Sequence, residues 1–239
     1  MTSTQLRPAA LSEALETSAW AVLVGPLPFG REEQLLAAAA GSGRPVLLID
    51  SRLEPEAELS QWLAQEAPPS LTFCGELLAA EAGEQCCYTY NDSRLNGTVG
   101  PDALLPQRPN LRLEGLELRP ARRLDAVLSA WLEQAAVNTR DTGLLWMPVS
   151  MAPDVLAGAG DFLGCLGAIL LEGAAAEGCA EDVADQLETS CYRLVSDASD
   201  RQLWQLDRQS LLERQLSLLS QQREDLQIRV EELQDQLSA

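Results

Sequence analysis

Two residue types are missing from this chain of 239 residues: lysine and histidine. All 17 basic residues are arginine, which excludes a histidine general base, a Ser-His-Asp or Cys-His nucleophile, a lysine Schiff base and a Walker lysine. Any proton transfer would therefore fall to a carboxylate, a tyrosine or a cysteine. Without histidine ligands we also expect no metal site.

Positive charge is scarce as well, with 17 arginines against 36 acidic residues and a formal net charge of -19. Residues 1–200 hold 12 of the arginines and 29 of the acids, so this part carries -17 of the total. Nucleic-acid backbones and anionic membrane surfaces attract clustered positive charge, so we expect neither as a partner. The acidic excess is typical of a solubilising surface on a cytoplasmic protein.

Cysteines and long apolar runs are also limited. The six cysteines show no CxxC spacing, and the adjacent pair Cys86 and Cys87 is a poor disulfide framework, so we expect reduced thiols. Glu13 and Glu16 precede a short apolar run at residues 20–24, which predicts no signal peptide. The longest apolar stretch, residues 155–171, is interrupted by Asp161, so no membrane span is predicted.

The first 75 residues alternate helical and strand patterns. Helices are predicted at residues 9–18, 31–40 and 54–65, and apolar strands at residues 19–24, 45–49 and 70–74. This alternation is the pattern of a parallel sheet with helices on its faces.

The next segments continue an α/β pattern with some half-exposed strands. Strands are predicted at residues 84–90, 111–118, 143–147 and 168–171, and helices at residues 124–136, 154–163 and 181–189. Residues 192–195 and 203–206 predict a final antiparallel pair. We therefore expect one α/β domain over residues 1–207.

Residues 208–239 are of a different kind and predict a coiled-coil helix. Eight positions spaced alternately by 4 and 3 residues form an a/d heptad series, and every d position is leucine. The eight a and d residues are Leu212, Leu216, Leu219, Arg223, Leu226, Val230, Leu233 and Leu237. Arg223 at an a position favours two strands, because a long cation there can reach solvent. We expect a homodimer through the seven apolar positions, or pairing with a partner coiled-coil protein.

Several short phrases follow one another in a fixed order along residues 18–207. Residues 123–128 read R-L-D-x-x-L, residues 155–159 read V-L-x-G-A, and residues 170–172 read L-L-E. Residues 187–195 are close to an L-x-x-x-G-Y segment, with Cys191 in the glycine position. In this order the phrases resemble those of the FkbM-type branch of the S-adenosylmethionine (SAM) dependent methyltransferases. The resemblance implies a Rossmann-like class I methyltransferase fold, with a mostly parallel sheet and an antiparallel C-terminal strand pair, followed here by the α-helical coiled coil.

The resemblance also implies where SAM would bind. Gly25 lies in the loop that matches the family's glycine loop after the first strand, and Asp50 closes the second strand where the family has its ribose-binding acid. The implied cofactor-binding residues are Gly25, Asp50 and Ser51. No catalytic residue is assigned.

The chain departs from the family where the chemistry takes place. The family's charged stretch K-x-D-x-E-G-x-E is replaced by residues 146–153 without any ionisable group, and Trp146 stands in place of the lysine. Pro26 and Pro28 stiffen the first loop and remove N–H donors, which suits a methionine moiety poorly. Asp154 is the nearest remaining acid, and it equally suits the cap of the helix that follows it.

The remaining candidates favour structural roles. Trp146, Met147 and Met151 suit a core better than a pocket, and Asp125 and Glu172 suit structural roles better than catalysis. A Rossmann dinucleotide site is disfavoured because no GxGxxG follows the first strand.

Two functions therefore remain open. The favoured prediction is a catalytically degenerate methyltransferase-like domain that acts as a dimerising scaffold or interaction module. The alternative is an active SAM-dependent O-methyltransferase that modifies a hydroxyl of a glycan or a small molecule, so the sequence leaves open whether the protein is an enzyme.

Overall fold

The computed structural model describes residues 9–25, 32–51, 69–92, 95–138, 142–173, 179–198 and 201–238. Its α-helices are α1 (Ala9–Thr17), α2 (Glu32–Gly41), α3 (Pro101–Leu104), α4 (Leu124–Gln134), α5 (Ala152–Ala157), α6 (Cys179–Thr189) and α7 (Arg208–Ser238). Its strands are β1 (Trp20–Val24), β2 (Val46–Ile49), β3 (Leu71–Cys74), β4 (Leu77–Leu78), β5 (Gly83–Tyr90), β6 (Leu113–Arg122), β7 (Gly143–Pro148), β8 (Leu166–Glu172), β9 (Tyr192–Ala198) and β10 (Arg201–Leu206).

The large sheet has seven strands in the order β3-β2-β1-β7-β8-β10-β9. The first five are parallel, β10 runs antiparallel to β8, and β9 runs antiparallel to β10. The chain is thus an α/β protein with a mostly parallel sheet, compatible with a Rossmann-like fold, and the predicted antiparallel C-terminal pair is confirmed.

The two faces of this sheet each carry a hydrophobic core. Successive side chains of a strand point to opposite faces, so β1 contributes Trp20, Val22 and Val24 to one core. Its alternate residues Ala21 and Leu23 belong to the other core. Because helices cover both faces, the central strands are apolar throughout, which explains their continuous hydrophobic runs.

Helix α4 packs on the first of these cores through one apolar face. Its buried residues recur at the 3- and 4-residue spacing of an amphipathic helix: Leu124, Val127, Leu128, Trp131 and Leu132. The rings of Trp131 and Trp20 meet edge to face with centroids 6.2 Å apart. A Cβ on Gly143 would lie 2.4 Å from the Trp20 ring, so β7 passes this indole only because position 143 has no side chain.

A second sheet of three strands has the order β4-β6-β5. The predicted half-exposed strand at residues 111–118 is present as β6, which extends to Arg122 and pairs antiparallel with β5. Leu116 and Leu118 on one face of β6 are exposed, whereas Ala121 on the other face is buried.

One predicted helix is wrong in its extent. The pattern predicted a continuous helix at residues 154–163, but α5 ends at Ala157 and a 3-10 segment follows at Gly160–Cys165. Gly160, the first residue of this 3-10 segment, has a φ of 52°, a left-handed conformation that does not continue the helix. The predicted helix at residues 54–65 and the loop with Pro26 and Pro28 lie outside the described residues.

The final helix begins at Arg208, as predicted, and continues to Ser238. Its first turns contact the α/β domain, where Leu211 packs against the first core and Arg214 Nη1 donates a hydrogen bond to the Thr189 carbonyl. Residues 212–230 are exposed throughout. Across the described ranges, no helix combines the length and the apolarity needed to cross a membrane.

Candidate functional site

The candidate site lies at the carboxyl edge of the large sheet, where the order of the strands reverses. From β1 the chain adds β2 and β3 on one side and later adds β7 and β8 on the other. The crevice outside the carboxyl ends of such neighbouring strands is where open α/β sheets bind ligands. Gly25 follows β1, Asp50 follows β2, and Glu172 is the last residue of β8.

Gly25 and Asp50, both predicted as cofactor-binding residues, are in direct contact. The Gly25 N–H donates to the Ile49 carbonyl at 2.6 Å, and the Asp50 N–H donates to the Cys74 carbonyl at 3.0 Å. A Cβ on Gly25 would lie 2.3 Å from Asp50 Oδ2 and 2.4 Å from Asp50 Cγ. The carboxylate therefore lies against the Gly25 backbone, and Asp50 as a residue is only 2% exposed.

This packing bears on ribose binding. A ribose-binding acid must present its carboxylate oxygens to two hydroxyl donors from the crevice. In the observed conformation the Asp50 carboxylate is covered, so it would have to turn outward to accept those hydrogen bonds.

Ser51, the third predicted residue, lies beside an arginine that sequence reasoning missed. Its carbonyl accepts a hydrogen bond from Arg119 Nη1 at 3.1 Å, and Arg119 Nε lies 3.6 Å from Glu117 Oε1. Arg119 belongs to β6 of the small sheet. No local pattern pointed to it, because only the pairing of β6 with β5 and β4 places it near the end of β2.

Trp146 and Glu172 form a hydrogen bond across neighbouring strands. The Trp146 Nε1–H donates to Glu172 Oε2 at 3.0 Å, and the indole is fully buried in the second core. Met147 and Met151 are buried in the first core, so the preference for core roles over a pocket lining is confirmed. The indole occupies the end of β7, where the resemblance implied a charged group.

Asp154 does not cap its helix. The N-cap of α5 is Met151, which makes no side-chain cap hydrogen bond, and Asp154 lies in the first turn. Its Oδ2 instead accepts a hydrogen bond from Thr98 Oγ1 at 3.3 Å. The predicted cap was wrong because the helix begins two residues earlier than the pattern indicated.

The R-L-D phrase forms a tight ion pair. Arg123 Nη2 lies 2.6 Å from Asp125 Oδ2, and Arg123 Nη1 donates to the Ala80 carbonyl at 3.2 Å. The Asp125 N–H donates to the Gly158 carbonyl at 2.9 Å, and a Cβ on Gly160 would lie 2.8 Å from Asp125 Oδ2. The hydrogen bond from Arg123 lowers the pKa of Asp125. The expected structural role of Asp125 fits these contacts.

The Cys74 thiol and the phenols of Tyr90 and Tyr192 are poor bases. Burial raises the pKa of the Cys74 thiol at the end of β3, and burial likewise raises the pKa of Tyr90. Burial raises the pKa of Tyr192, whose hydroxyl donates to the Leu163 and Leu166 carbonyls at 2.6 and 2.8 Å. These groups therefore stay protonated at neutral pH.

The described residues assemble no cluster of three or more cysteine and carboxylate side chains suited to a metal ion. Neither the models of known protein families nor the sequences of curated proteins match this chain. The relation to the FkbM-type methyltransferases therefore stays a prediction that rests on the short sequence phrases at residues 123–128, 155–159, 170–172 and 187–195.

Proposed function

We propose that this chain is a catalytically degenerate, FkbM-type methyltransferase-like domain that acts as a dimerising scaffold or interaction module through its C-terminal coiled coil. The observation that carries the proposal is the row of apolar side chains along α7. Each is more than half exposed: Leu212, Leu216, Leu219, Leu226, Val230 and Leu233. An exposed apolar stripe of this length, interrupted at Arg223, marks an interaction surface.

The fold supports the methyltransferase-like half of the proposal. The mostly parallel sheet with an antiparallel C-terminal pair agrees with the class I fold that the resemblance implies. The structure also gives a physical reason for glycine at two positions of the matched phrases. A Cβ on Gly158 would lie 2.7 Å from the Ala79 carbonyl oxygen, and Cys191, in the family's glycine position, has a φ of 66°. Both positions favour glycine on physical grounds.

The contacts at the strand ends support the loss of catalysis. Methyl transfer to a hydroxyl needs a base or a metal to take the proton as the hydroxyl attacks. Asp50 is packed on Gly25, Glu172 accepts from Trp146, and Asp125 is paired with Arg123. Each of these carboxylates is thus engaged by another group of the chain.

Calorimetric titration with SAM and S-adenosylhomocysteine tests the loss of catalysis. We expect no binding heat at millimolar ligand with the full chain. Binding that the Asp50→Ala substitution abolishes would overturn this part of the proposal and favour the alternative of an active O-methyltransferase. Asp185→Ala, which changes an exposed acid on α6, is the matched control for a change of one carboxylate.

Dimerisation is tested by substitutions on one helix that differ only in position. We expect the double substitution Leu219→Ser and Leu226→Ser to convert a dimer to a monomer in light scattering. The control Leu218→Ser and Ile228→Ser changes residues of similar exposure, 52% and 56%, that lie outside the a/d positions, and it should leave the dimer intact. A monomeric unchanged chain, or equal dissociation of both variants, would contradict the proposal.

The scaffold is expected to act in the cytoplasm. The described cysteine side chains are unpaired thiols: Cys74, Cys86, Cys87, Cys165 and Cys191. Free thiols persist in a reducing compartment, which supports this location.

A further inference from the structure

Helix α7 extends well beyond the domain that it follows. Its 31 residues span about 46 Å at 1.5 Å per residue. Leu211 and Arg214 near its start contact the domain, whereas the a and d residues from Leu212 to Leu233 are exposed. The stripe is therefore accessible to another helix along most of its length.

We propose that the occupant of this stripe is α7 of a second copy of the chain, in antiparallel orientation, so that the two α/β domains lie at opposite ends of the pair. This inference rests on the proposed self-association and adds its geometry. Three features of charge and spacing carry it.

The first feature is the position of Arg223. In a parallel pair in register, each a position faces the same a position of the other helix, so Arg223 would meet Arg223 of the second copy in the core. A parallel pair shifted by one heptad avoids this contact but leaves apolar positions uncovered at both ends.

Antiparallel pairing with full overlap removes the conflict. It places each a position opposite a d position, so Arg223 faces Leu226 of the second copy and Leu219 faces Val230. The aliphatic stem of an arginine can pack on a leucine while its guanidinium reaches water. Antiparallel pairing therefore covers every apolar layer without opposing two cations.

The second feature is the charge of the domains. Residues 1–200 carry a formal -17, and each chain enters its helix at Arg208. Parallel pairing would bring two such domains together at one end. Antiparallel pairing separates them by about 46 Å of helix, several times the Debye length of about 8 Å at physiological ionic strength.

The third feature is the scarcity of charge beside the stripe. The g positions are Gln215, Gln222, Arg229 and Gln236, and the e positions are Glu213, Ser220, Gln227 and Gln234. In the antiparallel pair Arg229 faces Gln222 and Glu213 faces Gln234, so no like charges meet. A second copy in this orientation therefore meets no charge repulsion beside the core.

Disulfide trapping in the full chain tests the orientation. The double substitution Leu216→Cys and Leu233→Cys places thiols about 26 Å apart on one helix, too far for a bond within the chain. After mild oxidation, peptide mass spectrometry should find position 216 joined to position 233 and little of either position joined to itself. The control Leu218→Cys and Ile228→Cys should lose this specific cross-link.

The outcomes separate the inference from the proposed function. Cross-links of 216 to 216 and of 233 to 233 would overturn the antiparallel orientation while self-association stands. A monomer in light scattering of the unchanged chain would overturn both. Small-angle X-ray scattering of the unchanged chain gives a second test, because the antiparallel pair requires a dumbbell with two separated mass centres, whereas one compact mass centre would contradict it.

Discussion

Gly25 shows how a single residue shapes the candidate site. Because Asp50 lies on its backbone, alanine at position 25 would drive a methyl group into the carboxylate, 2.3 Å from Oδ2. Overpacking of this kind usually costs about 1–3 kcal/mol, so we expect Gly25→Ala to lower the free energy of unfolding in urea by that amount. Glycine here is thus required by the packing of Asp50 as well as by any cofactor.

The matched control is Gly41→Ala at the end of α2, where a Cβ would meet nothing within 4 Å. Alanine is the better helix former, so this variant should be as stable as the unchanged chain or slightly more stable. Equal urea midpoints for the two variants would show that Asp50 does not occupy the position described.

Asp125 gives stability a dependence on pH. Its hydrogen bond from Arg123 lowers its pKa below the ordinary 3.8, so the pair stabilises the folded state above that pH and loses its effect as the pH falls through the lowered value. We expect Asp125→Asn to unfold at lower urea than the unchanged chain at pH 7, with the difference shrinking below about pH 4. Asp185→Asn, which changes an exposed acid, should show a small difference at both pH values. A constant deficit for Asp125→Asn would contradict the ion pair.

At the scale of elements, the break after α5 depends on Gly160. Its left-handed φ of 52° and the 2.8 Å approach to Asp125 Oδ2 both oppose a side chain. A left-handed residue with a Cβ costs roughly 1–2 kcal/mol, so we expect Gly160→Ala to destabilise the protein by at least that in urea unfolding. Gly164→Ala lies in the same 3-10 segment, with its nearest atom 4.0 Å away, and should be nearly neutral. Similar losses for both would argue against the break.

The sequence predicted the elements whose signal is local. Runs such as β1 and β2 are apolar at every position because both sheet faces are covered, and the a/d spacing alone indicated the helix from Arg208. The end of α5 was missed because it depends on the contact between Gly160 and the distant Asp125.

The contacts of the candidate site were predictable from the sequence only where they follow from the order of neighbouring strands. Gly25 and Asp50 meet because residues that close neighbouring parallel strands share one edge of the sheet. Arg119 reaches Ser51 across 68 residues, and Trp146 reaches Glu172 across 26. Such contacts follow from tertiary packing, which the local pattern does not contain.

At the scale of the whole molecule, the domain and α7 share few contacts. Leu211 packs on the core and Arg214 bonds to Thr189, while residues 212–230 are exposed. Most of the stability of a helix in a protein comes from packing of its apolar face, so we expect α7 to be stabilised by a partner along residues 212–230 rather than by the domain.

This division predicts two unfolding transitions with different dependence on concentration. All five tryptophans precede α7 in the sequence: Trp20, Trp62, Trp131, Trp146 and Trp204. Tryptophan fluorescence therefore reports the domain alone, whereas circular dichroism at 222 nm reports both the domain and the helix. Association stabilises the paired helix by mass action, so its melting midpoint should rise with protein concentration. The fluorescence midpoint should stay constant, because the core of the domain is complete within one chain.

Leu219→Ser with Leu226→Ser should remove the concentration-dependent transition only. Coincident midpoints at all concentrations would show instead that the helix and the domain unfold as one unit.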